Sequence, residues 1–171
     1  MRSKELGIRK ILTKGDLSLK KKSRAVTEFN PRLHQLLDDM KQTLEQANGV
    51  GLAAPQVGVL RRAVIVEDVS GEEPVIYELI NPEIVEREGE QIGPEGCLSL
   101  TDIWGIVTRP EHVKVKAQDR FGNEFFLEAD ELLARACCHE IDHLEGVLFD
   151  EIADRFLDDE ELAALSGEAE E

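Results

Sequence analysis

Two histidines four positions apart, with a glutamate directly after the first, form the segment His139-Glu140-Ile141-Asp142-His143. On a helix, residues four apart lie one above the other on a single face. Both imidazoles can then bind one metal ion, while Glu140 reaches the water that completes its coordination shell. This is the H-E-x-x-H pattern of hydrolytic metal sites. It supplies two ligands, and a third must come from elsewhere. The obvious candidate is Cys97, set among turn-forming residues after a strand in Gly93-Pro94-Glu95-Gly96-Cys97-Leu98-Ser99. A lone cysteine is more often an inert buried residue, so residue type alone leaves its role open.

A second segment, Gly49-Val50-Gly51-Leu52-Ala53-Ala54-Pro55-Gln56, is small and apolar until its single amide. Small residues let a ligand approach the backbone closely. The same composition suits a tight connection between helix and sheet, and both readings stand.

These residues need elements to position them. Asn30-Pro31 predicts a helix start, with Asn at the N-cap and Pro at the first helical position. Leu33, Leu36, Leu37, Met40 and Leu44 recur at helical spacing, and Gly49 is placed to end the helix in a left-handed conformation. Strand-like runs follow at Ala63–Glu67, Val75–Ile80, Ile84–Arg87, Val113–Ala117 and Phe125–Glu128, separated by turn signals such as Asn81-Pro82. Their short spacing favours antiparallel hairpins. Asp130 is expected to cap a second helix from Glu131 to about Leu144, stopped by Gly146. A short last helix, roughly Asp158 to Leu165, leads into a charged tail. The expected fold is α+β, with short, mostly antiparallel strands packed around a central H-E-x-x-H helix. We divide it into one catalytic domain, 1–150, and an acidic C-terminal helix and tail, 151–171.

The 171 residues are 42% hydrophobic and 33% charged, ordinary for a globular protein. A net charge of −16 argues against general nucleic-acid binding or adhesion to anionic membranes. From Asp150 onward, ten acidic residues face one basic residue, Arg155. No run has the apolar length of a membrane span, and the N-terminal segment lacks a signal-peptide pattern. Three cysteines, two adjacent, do not suggest a disulfide framework, so a reducing cytoplasmic setting is the expectation.

Taken together, Gly49–Gln56, Glu95-Gly96-Cys97-Leu98-Ser99 and His139–His143 with Leu144-Glu145-Gly146 resemble the three motifs of the peptide deformylase family, in order. The resemblance runs from about Ile8 to Phe149. It implies that Cys97, His139 and His143 bind one divalent metal, leaving an open position of the kind that marks a catalytic site. Fe²⁺ is the expected ion; Zn²⁺, Ni²⁺ and Co²⁺ also accept this ligand set. It further implies hydrolysis of the formyl group from the N-formyl-methionine that begins nascent chains. Glu140 would be general base and then acid. The side-chain amide of Gln56 and the backbone N–H of Leu98 would stabilise the oxyanion. By the same matching, Val50, Leu132 and Ala136 line the methionine pocket, and Gly51 offers backbone contacts. Asp142, paired with Arg109, is read as orienting the helix or a histidine.

Several positions depart from the family pattern. Cys137 and Cys138 precede His139 where an aliphatic residue and Gln are common; they read as packed thiols, with oxidation at Cys138 a rarer alternative. Thr101 and Leu17 replace common prolines. Trp104 either flanks the cleft or packs. The acidic tail is unsuited to docking on ribosomal RNA, which leaves at most transient proximity to the ribosome. His34 and His112 read as surface or scaffold residues. Two rivals remain: an H-E-x-x-H endopeptidase, and a binding module whose structural zinc takes a fourth ligand from His34 or Cys138.

Overall fold

The side chain of Asn30 accepts a hydrogen bond from the Leu33 N–H at 3.1 Å, and Pro31 opens helix α1 (Pro31–Ala47). In this computed structural model, which describes residues 7–170, the apolar stripe Leu33, Leu36, Leu37, Met40 and Leu44 is buried as its spacing requires. Each such side chain contributes roughly 1.5–3 kcal/mol by leaving water. The helix ends at Asn48 (φ 56°) instead of Gly49. Asn enters the left-handed region because its short polar side chain can bond locally.

Among the described residues, eight strands follow in chain order: β1 (Gly51–Ala53), β2 (Ala63–Asp68), β3 (Val75–Glu88), β4 (Gln91–Cys97), β5 (Leu100–Arg109), β6 (His112–Gln118), β7 (Glu124–Asp130) and β8 (Arg155–Phe156). They make two antiparallel sheets, β1-β2-β3-β6-β7 and β4-β5-β8. The architecture is α+β, as expected, and helix α2 (Glu131–Leu144) lies at its centre. β2 shows why. Val64 and Val66 join the core shared with α2, while Ala63 and Ile65 join the core beneath α1. A strand covered on both faces reads as a continuous apolar run.

The structure departs from the sequence expectations at several points. The two runs expected around Asn81-Pro82 are one strand, β3, with a register shift there. Asn81 (φ 51°) holds the kink by accepting from the Val26 N–H at 2.8 Å and donating to the Val26 carbonyl at 2.9 Å. β4 and β5 lie where no strands were expected. Asp130 does not cap α2 with its side chain; its carboxylate meets His112 Nδ1 at 2.7 Å. β8 pairs with β5 beyond the expected boundary at 150, so the folded unit includes Arg155–Phe156. Helix α3 (Asp159–Glu170) runs past Leu165, and Asp158 caps it by accepting from the Glu161 N–H at 2.8 Å. Among the described residues, no helix is long and apolar enough to cross a membrane.

Gly146 (φ +75°) ends α2 as expected, and a Cβ there would collide with the backbone carbonyl of Lys20. Gly146→Ala should therefore cost about 1–3 kcal/mol through strain and displacement. Thermal melting should fall by several degrees; an unchanged midpoint would contradict the packing described.

Candidate metal centre

β4 and α2 meet at the centre of the molecule, and each delivers part of one site. Cys97 ends β4, and Leu98-Ser99 turn the chain into β5. His139 and His143 stand one helical turn apart on α2. Ligand atoms of Cys97, His139 and His143 all lie within 4.8 Å of one another. Cys97 Sγ is 3.4 Å from His143 Nε2. Three residues separated by up to 46 positions thus converge, as the sequence motifs require.

His139 is fixed by a residue the sequence reading did not single out. Its Nδ1 meets Glu95 Oε1 at 2.9 Å, which leaves Nε2 for the centre. Glu95 also accepts from Arg109 Nε at 2.8 Å and Nη2 at 2.9 Å, and from Arg135 Nη1 at 2.6 Å. Burial opposes its ionisation, but hydrogen bonds from Arg109 and His139 outweigh that and bring its pKa down to about 2. Asp142 does bond Arg109, at 2.6 Å, so it reaches His139 only through Arg109 and Glu95. The signal available in sequence was Arg135, set in the otherwise apolar run from Leu132 to Cys138.

Burial opposes charge on both imidazoles. For His139, the surrounding Glu140, Cys97 and Glu95 overcome it and hold the pKa well above the usual value. For His143, burial together with the charge of His139 holds it well below, so this ring is neutral and ready to ligate. Glu140 is also buried, which pushes its pKa up to about 7 against the pull of His139. Its Oε1 has no hydrogen-bond partner among the described residues. An orphaned buried carboxylate oxygen is costly. A hydrated cation beside it would supply the missing donor. A thiolate and two imidazoles suit Fe, Co, Ni or Zn, so the residues present fit one divalent ion with an open position.

Above this centre lies a cleft of about 360 Å³, lined by Val50, Gly51, Gln56, Leu98, Leu132, Ala136 and Glu140, among others. Every expected substrate-contacting residue is therefore at the cleft. His143 lies behind it, only 1% exposed. Gln56 is buried and oriented: its Oε1 accepts from the Ala53 N–H at 2.9 Å, and its Nε2 donates to Ser99 Oγ at 3.0 Å, 3.7 Å from Cys97 Sγ. Gly51 is required by packing, since a Cβ there would stand 2.5 Å from Glu140 Oε2. Leu132 is half exposed at the cleft and is not a core residue, while Ala136 is buried. Trp104 both lines the cleft and packs on Gly96.

Neither suggested fourth ligand joins the cluster among the described residues. His34 Nε2 is taken by the Arg120 carbonyl at 2.8 Å. Cys137 and Cys138 are free, buried thiols whose pKa values burial pushes up to about 12 and about 11. Oxidation proceeds through the thiolate, so this packing disfavours it at Cys138. The structural-zinc reading is thereby left without its fourth donor.

Comparison with known proteins agrees with the geometry. The sequence pattern of the polypeptide deformylase family matches residues 8–156. A peptide deformylase from Caldicellulosiruptor bescii is 58% identical over 157 residues, covering 92% of each chain. Among solved structures, a peptide deformylase from Legionella pneumophila superposes with a TM-score of 0.79 at 41% identity, covering 92% of this chain and 90% of that one. A class I type b peptide deformylase from Acinetobacter baumannii, in its Met-Ala-Ser-bound crystal structure, gives 0.79 at 36% identity, covering 84% and 97%. Fold and site together define a metal-dependent amide hydrolase. The chain belongs to the peptide deformylase family, enzymes that remove the formyl group from nascent polypeptides.

Replacing Glu95 by Gln keeps the shape but removes the charge that balances two arginines and fixes His139. Glu95→Gln should lower metal affinity by about 10–100-fold, read by chelator competition. Unaltered affinity would show that the contact to His139 does not position the ligand.

Proposed function

We propose that Cys97, His139 and His143 hold one divalent cation, with Fe²⁺ the expected ion, and that Glu140, Gln56 and Leu98 carry out formyl hydrolysis beside it. The observation that carries this reading is the convergence of three donor atoms next to a buried, unpartnered Glu140 oxygen. When bound, such an ion supplies Lewis acidity that lowers the pKa of water and polarises the formyl carbonyl.

Glu140 takes a proton from the attacking water and delivers it to the departing α-amino nitrogen. The C–O bond forms first, and the C–N bond of the resulting tetrahedral species then breaks, giving formate and a free N-terminus. As the carbonyl oxygen gains charge, Gln56 Nε2 and the Leu98 backbone N–H donate to it. Gln56 is prepared for this, because its own carbonyl oxygen is tied to the Ala53 N–H and cannot swing inward.

The substrate is a peptide N-terminus that begins with formyl-methionine, entering from the nascent chain in the cytoplasm. Its side chain fits beside Val50, Leu132 and Ala136. Its backbone is supported by strand edges. Among the described residues, β1 and β4 each end their sheets with one edge unpaired by strands, and Gly51 and Gly96 bring those edges to the cleft. Exposed edges accept an added strand. A protein of this family bound to Met-Ala-Ser is in keeping with a peptide occupant. Proximity to the ribosome, if needed for access, would not come from the acidic α3.

Glu140→Ala should retain its metal yet lose nearly all formate release from formyl-Met-Ala-Ser; normal turnover would sink the proton-transfer role. Anaerobic purification with metal analysis should find Fe²⁺ as the principal ion and the most active one on reconstitution. Higher occupancy and turnover with zinc would overturn the iron assignment.

A further inference from the structure

The cleft face of α2 consists of Leu132, Arg135, Ala136, His139 and Glu140, at the i, i+3, i+4, i+7, i+8 spacing of one helical stripe. Four of these have been given roles. Arg135 has been placed only as a partner of Glu95, although it is a charged residue only 7% exposed, one turn before His139. Burying a guanidinium is costly unless its charge and its N–H groups are both met. Glu95 meets the charge. The N–H groups are met only in part: Nη1 also reaches the Val107 carbonyl at 3.1 Å, and Nη2 reaches that of Gln91 at 3.5 Å, the outer limit of a hydrogen bond. Nε bonds no described residue, yet it is not among the fully buried side-chain atoms that lack a partner. Nε is thus left without a partner among the described residues, and Arg135 is one of the residues that line the cleft.

We propose that Arg135 offers a hydrogen-bond donor to the pocket for the first side chain, and so admits formyl peptides beginning with methionine sulfoxide as a further substrate class. This rests on the deformylase reading of the cleft. A thioether sulfur is a weak acceptor, whereas a sulfoxide oxygen is a strong one without net charge. Neutrality matters here. Arg109 and Arg135 are already balanced by Glu95 and Asp142, so a carboxylate side chain would bring uncompensated charge. Norleucine has nearly the shape of methionine but no acceptor, and would desolvate the Arg135 N–H groups without replacing their water. The reaction itself is unchanged: water cleaves the formyl C–N bond, and the sulfoxide leaves unreduced on the product.

The test compares formate release from formyl-Met(O)-Ala-Ser, formyl-Met-Ala-Ser and formyl-norleucine-Ala-Ser. Metal-loaded wild type, Arg135→Met and Arg135→Lys are used, each checked for metal content and melting. The ratio of kcat/KM for sulfoxide over norleucine should fall about tenfold or more in Arg135→Met, the size of a lost charge-assisted hydrogen bond. Arg135→Lys should lie between. Because the ratio is taken on one enzyme, general damage transmitted through Glu95 cancels. Equal ratios in wild type and Arg135→Met overturn the proposal while leaving the deformylase reading intact. Absence of formate from formyl-Met-Ala-Ser with wild type would instead sink that reading. Should Arg135→Met fail to fold, wild type alone decides: norleucine processed as well as sulfoxide overturns the proposal.

Discussion

One buried carboxylate organises this molecule. Glu95 is 5% exposed and is bonded to two arginines and a histidine drawn from β5 and α2. Taking such charges out of water costs several kcal/mol per ion, and mutual attraction repays that only where hydrogen bonding is nearly complete. Here both Glu95 oxygens are occupied more than once. The cluster therefore ties the smaller sheet to the central helix only when β4, β5 and α2 are all in register. Loss of any one partner leaves a charge buried without its complement. The orientation of the His139 ring follows from the same contact, so fold and candidate site share a constraint.

Around that cluster, the remaining elements exclude water and set distances. β2 is apolar on both faces, which lets α1 and α2 pack on opposite sides of one sheet. The segment after α1 must then pass close to α2. Gly51 is small enough for Glu140 to lie against it, so close packing and the placement of the buried Glu140 carboxylate depend on one residue. Gln56 is held similarly: Ala53 and Ser99 fix its two amide ends, and little rotamer freedom remains to be lost when a substrate binds.

Much of this was legible in sequence where local chemistry decides conformation. The Asn30-Pro31 start, the α1 stripe and the Gly146 stop are local signals, and each appears in the structure. The grouping of Cys97, His139 and His143 was legible through its motifs, and the structure brings these donors together. β4 was not, because Gly93, Pro94 and Gly96 read as turn residues. Proline is tolerated there since β4 is an edge strand, where a missing N–H costs no ladder bond. β5 was hidden for a related reason: Asp102 (φ 65°) and Gly105 interrupt its alternation, and it is pairing with β4 and β8 that makes it a strand. Glu95 was named only as part of a motif. A carboxylate in a sequence does not declare whether it will be solvated or buried; that depends on arginines 14 and 40 residues away.

The overall acidity of the chain has little bearing on the field inside the cleft. Exposed charges are screened beyond about 8 Å at physiological salt, and much of the excess lies in the stretch from Asp150 onward, in and around α3. At the cleft the local pairs decide: Arg109 and Arg135 oppose Glu95 and Asp142. Net charge thus bears on which macromolecular surfaces the protein avoids, whereas the field inside the cleft is set by the few polar groups that line it. In the reading proposed above, the placement of a single guanidinium beside Val50, Leu132 and Ala136 is what distinguishes side chains of equal length.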